Sequence, residues 1–341
     1  MENKIVKIFC LAFALLTVLA LADIIFVPKG FFTQARVEGS SVKSFVIETN
    51  GEHDLNITLP PEALATKITL DKGEDESTYI VTVPGFNEND FYDFPIEGHC
   101  DGIKSIKYAQ RGRDGIFEII TENYAVIDGD ITSDNVLYLD VLQLHDVYDH
   151  VIVVDAGHGG SDTGAVIGDV SEKDLDLAVA MRLKSLLDKD ESIKVFYTRE
   201  DDIDFGMRER VELVEETGAD LLLSIHMGAT ASGRMSTING ARALYRVTDK
   251  TGKSKQFAQL CINKLITATG CGSKGVVAGD DIYTVGNVKV PVALVECGFL
   301  TNEEEQKKLL TEEYQERCAN ALYEAIEQTL VSMSPKSAAS K

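Results

Sequence analysis

Tryptophan is absent from this 341-residue sequence. That excludes a carbohydrate platform built on indole rings and leaves 11 tyrosines and 14 phenylalanines for any stacking on sugar. Positive charge is scarce: 33 Lys and Arg stand against 55 Asp and Glu, a formal net charge of −22. Nucleic acid is therefore excluded as a partner, because phosphate binding needs stripes of Lys and Arg. The same charge favours solubility and repels anionic membrane surfaces. Cysteine is limited to Cys10, Cys100, Cys261, Cys271, Cys297 and Cys318, with no C-x-x-C pair. So sparse a set is neither a disulfide framework nor a thiolate zinc site. These residues read as core thiols, with Cys261 and Cys271 the one candidate bridge. H-E-x-x-H is also missing, which excludes a zincin helix. No internal repeat occurs.

What is present begins with a targeting segment. Lys4 and Lys7 precede an apolar run from Ile8 to Val27, broken only by Asp23. A membrane-spanning helix needs roughly 20 apolar residues, so the run suffices for a signal anchor. Ala20-Leu21-Ala22 also fits a signal-peptidase site. Both readings export the remainder and keep the lysines inside. The uncleaved anchor is preferred, because Ile24 to Val27 prolongs the run past the cut. Cys10 lacks the small-residue context of a lipoprotein cysteine. The expected partners include the membrane, through this segment, and the location is extracytoplasmic.

Residues 1–35 are thus an anchor or signal peptide plus stalk. Residues 36–147 have β texture, with strands expected at 44–48, 55–59, 78–83, 103–108, 115–120 and 136–141. Turn residues separate them, among them Asn50-Gly51, Pro84-Gly85, Asp101-Gly102, Asp114-Gly115 and Asp128-Gly129. This pattern predicts a small all-β sandwich. Residues 148–333 alternate strands near 151, 194, 221, 241 and 292 with helices at 172–188, 208–217 and 255–267 and one or two more over 303–330. They predict an α/β domain with a mostly parallel sheet flanked by helices. The tail 334–341 reads as disordered.

Three apolar runs in the α/β part end in residues that can bind or serve a metal. Val151 to Val154 leads to His158, Leu221 to Ile225 to His226, and Val292 to Val295 to Glu296. Short Val/Ile/Leu runs read as buried parallel strands, and chemistry in such sheets lies beyond their carboxyl ends. Glycines on both sides of His158 allow a sharp turn that opens the imidazole to one face. Glu296, closing an apolar strand, must be paired, protonated or metal-linked. Glu172 opens a helix behind Ser171, with Asp174 in capping-box position. Taken alone it reads as a surface charge complementing the helix dipole. Two histidines and one glutamate form the three-ligand pattern of a catalytic zinc site, and a second glutamate is what a hydrolase needs as general base. Spacing does not say which glutamate is ligand and which is base.

Five segments in order carry a resemblance: Val154-DAGHGGSDTG-Ala165, Glu172-Lys-Asp-Leu175, Tyr197-Thr-Arg199, Ala219-DLLLSI-His226 and Val292-ALVECGFLT-Asn302. Over residues 150–330 the chain resembles the zinc-dependent N-acetylmuramoyl-L-alanine amidases of the Amidase_3 type. Loosely, the β region resembles the AMIN-type domains that precede cell-wall amidases. The resemblance implies zinc ligands at His158, Glu172 and His226, a catalytic glutamate at Glu296, and peptidoglycan as substrate. It implies hydrolysis of the amide between the lactyl group of N-acetylmuramic acid and L-alanine. The β-domain would take a wall or protein ligand.

Supporting roles are expected for several neighbours. Arg199 and Arg210 match arginines that recur in the family; pairing with Asp201 or Glu209 competes with substrate contact. Asp155 is a candidate for orienting His158, Lys274 for meeting a stem-peptide carboxylate, and Asn302 for capping the last helix. One departure stands out: the family's Ala-Asn-Ala after the second histidine is Met227-Gly228-Ala229 here. The competing readings are a noncatalytic wall-binding or regulatory protein on the same fold, and a zinc carboxypeptidase or deacetylase.

Overall fold

The computed structural model describes residues 53–333, apart from residues 62, 64–66, 74 and 95, together with the backbone of 33–35 and 45–48. The anchor run and the tail 334–341 lie outside the described residues. No helix among the described residues is long and apolar enough to cross a membrane. The chain divides into two compact units between Gln143 and Leu144.

The first unit holds strands β1 (Thr33–Ala35), β2 (Phe45–Glu48), β3 (Leu55–Thr58), β4 (Thr69–Lys72), β5 (Thr78–Pro84), β6 (Ile96–Glu97), β7 (Ile103–Arg111), β8 (Asp114–Thr121), β9 (Ala125–Ile131) and β10 (Val136–Gln143). They form two sheets, ordered β1-β2-β6-β3-β10-β9 and β4-β5-β8-β7. Alternation along β8 buries every second residue. Side chains from both sheets share one core, including Leu55, Ile57, Val81, Phe117, Ile119 and Leu139. Asp128-Gly129, expected as a turn, lies inside β9. This strand ends its sheet, where polar residues remain exposed, and the Asp128 side chain accepts the Gly129 N–H at 3.0 Å.

The second unit runs α1 (Leu144–Val147), β11 (His150–Ala156), β12 (Val166–Ile167), β13 (Val170–Ser171), α2 (Glu172–Leu187), β14 (Ile193–Tyr197), α3 (Met207–Glu216), β15 (Leu221–Gly228), β16 (Ala241–Tyr245), α4 (Lys253–Thr269), β17 (Ser273–Ala278), α5 (Tyr283–Asn287), β18 (Val292–Phe299), α6 (Glu303–Leu309) and α7 (Glu312–Met333). Its main sheet has the order β14-β11-β15-β18-β16-β17. The expectation of a mostly parallel sheet is corrected to a mixed one: β16 runs antiparallel to β18, while the other joins are parallel. Helices α2, α4 and α7 cover one core with β11, β15 and β18, through residues such as Leu183, Phe257, Leu322, Val154, Leu223 and Val295. The three central strands are continuous apolar runs because both faces are covered.

The candidate bridge does not form: Cys261 and Cys271 are free thiols, as are Cys100, Cys297 and Cys318, and all but Cys271 are buried. Asn302 is an N-cap, but of α6 and not of the last helix α7: its Oδ1 accepts the Glu304 and Glu305 N–H groups at 3.1 Å each. Ser171 precedes α2, but its hydroxyl donates to the Asp174 carboxylate and no side-chain bond reaches the helix backbone, so the capping box does not form.

Candidate metal centre

The carboxyl ends of β11 and β15 deliver two imidazoles to one place. The rings of His158 and His226 meet edge to face, with centroids 4.9 Å apart. Glycine makes this approach feasible. A Cβ at Gly157 would lie 2.3 Å from the His226 ring, and one at Gly164 would lie 2.6 Å from the His158 ring and 2.8 Å from Glu172. His158 itself adopts a left-handed φ of 57°, a conformation that a non-glycine residue holds only when its surroundings enforce it. Two buried arginines supply that enforcement. Arg199 donates to the carbonyls of Ala156 at 3.1 Å, Gly157 at 2.7 Å and Lys173 at 2.8 Å. Arg210 donates to the carbonyls of Ala156 at 2.8 Å and His158 at 2.6 Å.

These contacts revise the expected roles. Arg210 pairs with Asp155, not Glu209, and Glu209 instead accepts the Gly206 N–H. Arg199 meets Asp201 only at its backbone carbonyl. Asp155 does not orient His158: its carboxylate receives Arg210, Thr198 at 2.8 Å and Ser224 at 2.5 Å. Burial pushes its pKa up, but Arg210 and the hydroxyls outweigh that and hold it below the usual carboxylate value. The partner of His158 is Asp162, four residues on, whose Oδ2 lies 2.9 Å from Nδ1.

Glu172 is the third member, and it is not a surface residue: it is 6% exposed. The hairpin of β12 and β13 brings the start of α2 back beneath the loop. Oε1 lies 3.3 Å from His158 Nε2 and 3.1 Å from His226 Nδ1. Backbone N–H groups of Ala165 and Met227 donate to the carboxylate at 2.9 and 3.2 Å. Burial raises its pKa, but the two imidazoles drive it well below the ordinary value. Burial likewise lowers the pKa of His158, and the carboxylates of Glu172 and Asp162 reverse this to a net rise.

A fourth residue joins them that sequence reasoning missed. His158, Glu172, Asp176 and His226 place one ligand atom each within 4.8 Å of one another. Imidazole nitrogens with carboxylate oxygens are a donor set that suits zinc. The donor set and the unsatisfied buried oxygens of Asp176 both fit a cation.

Glu296 lies on β18, opposite His226 in the parallel register. It is 8% exposed and is not part of the four-residue cluster. Its carboxylate is paired with Arg242, the residue opposite it on antiparallel β16. Nε donates to Oε2 at 2.7 Å and Nη2 to Oε1 at 2.5 Å. The sequence offered no sign of this partner. Lys274 lies exposed on the outer strand β17. Gly228 explains the departure after His226: a Cβ there would sit 3.0 Å from the Phe299 ring, which fills the space a side chain would need.

Residues 152–328, more than half of the chain, match the family model described as N-acetylmuramoyl-L-alanine amidase. The chain is similar to the N-acetylmuramoyl-L-alanine amidase LytC of Bacillus subtilis, at 32% identity over 52% of this chain and 35% of that protein. It thus spans about a third of LytC's length. It is similar to the germination-specific N-acetylmuramoyl-L-alanine amidase of the same organism, at 33% identity over 52% of this chain and 78% of the relative. A crystal structure of an N-acetylmuramoyl-L-alanine amidase from Clostridium difficile 630 superposes with a TM-score of 0.51 at 31% identity, over 54% of this chain and 97% of that one. Its matched region carrying the strand ends, the glycine loop and the helix start that build the site, the chain belongs to the Amidase_3 family of N-acetylmuramoyl-L-alanine amidases.

Proposed function

We propose that this protein hydrolyses the amide between the lactyl group of N-acetylmuramic acid and L-alanine of the peptidoglycan stem peptide. In this reading His158, Glu172 and His226 hold a zinc ion and Glu296 is the general base. The observation that carries it is the convergence of His158, Glu172 and His226 at the carboxyl ends of β11 and β15. Glu296 stands beside them on the neighbouring strand.

A zinc ion bound there would polarise the scissile carbonyl and lower the pKa of a water from about 15.7 to about 7. The protein residues do the rest. Glu172, fixed by two backbone N–H groups, presents Oε1 between the two imidazoles. Asp162 takes His158 Nδ1 and so leaves Nε2 for the metal side. Glu296 accepts the proton of the attacking water and passes a proton to the departing amine of L-alanine. The C–N bond breaks, a lactyl carboxylate forms, and the peptide leaves with a free amino terminus. Arg242 holds Glu296 by both oxygens in the resting state. One of these bonds opens when the carboxylate takes its proton, while the other keeps the group aimed.

The reading extends to the rest of the chain. The segment 1–35 anchors the protein outside the cytoplasm, and the β unit, AMIN-like, takes a wall or protein ligand. Digestion of purified peptidoglycan tests the chemistry. New L-alanine amino termini, lost on zinc removal and restored by zinc, are the expected products. Release of a D-amino acid or acetate instead, or no release by zinc-loaded protein, contradicts it.

A further inference from the structure

Asp176 is the one residue of the cluster that the proposed mechanism leaves unused, and its surroundings are unusual. It follows Glu172 by four positions on α2, so both side chains project from the same helical face. It is 0% exposed, and neither carboxylate oxygen has a hydrogen-bond partner among the described residues. One oxygen lies 3.8 Å from His226 Nδ1. Asp155 offers a control within the same fold. It is buried to the same degree, yet three side chains donate to it. Arg199 is the guanidinium whose charge reaches Asp176, but its donors are committed to backbone carbonyls.

A buried carboxylate is paired, protonated or bound to a metal, because an unpaired one is too costly to retain. Protein donors do not supply the pairing here. The cluster supplies a reason for a cation: a divalent ion on two neutral imidazoles and Glu172 alone carries a net charge of +1 inside the fold. A second carboxylate brings that charge to zero. We propose that Asp176 is a fourth protein ligand of the metal, making this a two-histidine, two-carboxylate site. Zinc expands from four to five ligands readily, so a position for water remains. The added oxygen donor also widens the site towards manganese and cobalt, which favour harder ligands than thiolate.

This inference rests on the metal reading above, and the test separates the two. The full chain is stripped of metal and titrated with zinc against a chromophoric chelator. Its melting temperature is taken with and without zinc, and its visible spectrum is recorded with cobalt. The variants are Asp176→Asn, which keeps the shape, and Asp176→Ala, which removes every donor atom. Zinc affinity should weaken by roughly 10-fold to 100-fold or more in both. The Asp176→Asn protein should melt no lower than wild type without metal and gain less from zinc. Its cobalt bands should strengthen as five ligands become four. Undiminished zinc affinity with an unchanged cobalt spectrum overturns the inference. A lower metal-free melting temperature with undiminished affinity does the same, since that marks a packing role. If the variants fail to fold, a four-coordinate cobalt spectrum in the wild type overturns it alone. Folded wild-type protein that takes up no zinc would instead overturn the metal reading itself.

Discussion

The start of α2 and the end of β18 each bury a glutamate, and the two are held in opposite ways. Glu172 faces two imidazoles and two backbone N–H groups. Its oxygens are surrounded by the two imidazoles proposed as metal ligands and by fixed backbone donors. Glu296 faces a guanidinium that already carries the compensating charge. A metal placed beside Glu172 gains a carboxylate that no Lys or Arg among the described residues pairs with. One placed beside Glu296 would have to displace Arg242. In the proposed reading the same residue type is sorted into ligand and base by what lies against it, since burial alone does not distinguish the two.

The sharpest way to break this comparison is to remove an imidazole. His158→Ala should abolish stoichiometric zinc binding and lower turnover on peptidoglycan by about a thousandfold or more, the loss expected when the metal's contribution to the transition state disappears. Zinc retained by that variant would place the ion elsewhere. Next comes Asp155, the carboxylate paired to a guanidinium just outside the four-residue cluster. Asp155→Asn leaves Arg210 buried without its partner and should cost about 3–5 kcal/mol of stability. The sign of its pH dependence follows from its lowered pKa. Asp155 contributes stability that is fully present above its unfolded value near 4 and is lost as pH falls through the folded value. Urea titrations from about pH 6 down to about pH 2 should therefore show a steeper acid loss in wild type than in the variant. Equal slopes would remove Arg210 as the cause.

Arg242→Gln probes the guanidinium side of the comparison directly. It should lower stability by about 2 kcal/mol and reduce kcat with little change in zinc content. Arg242→Lys should restore part of kcat, since a single charge remains but the two-point hold does not. A variant with unchanged kcat would make the pair structural only. The smallest expected effect is Asn302→Ala, which removes the cap of α6 and should cost about 1 kcal/mol. Zinc binding should be untouched, as α6 follows β18 and not α2.

His158, His226 and Glu296 were legible because each closes an apolar run, and a polar residue at that point is conspicuous. Glu172 was not legible from spacing. Ser171 and Asp174 make it look like an ordinary helix start, and only the β12–β13 hairpin turns that start inward. Asp176 was missed for a related reason: an acidic residue on an amphipathic helix reads as its solvent face. Arg242 gave no signal, because its role depends on β16 reversing direction against β18, and a short apolar run does not state its direction. The same reversal is why the sheet is mixed. Asp155 and Asp162 were both visible near His158. Which one orients the ring depends on the left-handed turn at His158, which faces Nδ1 towards Asp162 and leaves Asp155 to the arginine below.

One paired measurement tests the central distinction most directly: zinc content and kcat for Glu172→Gln beside Glu296→Gln, on the same peptidoglycan preparation. The account predicts that Glu172→Gln loses zinc and turnover together. Glu296→Gln should keep one zinc per chain and lose turnover by roughly a hundredfold to ten-thousandfold. A Glu296→Gln protein that loses its zinc, or that turns over at the wild-type rate, would contradict it.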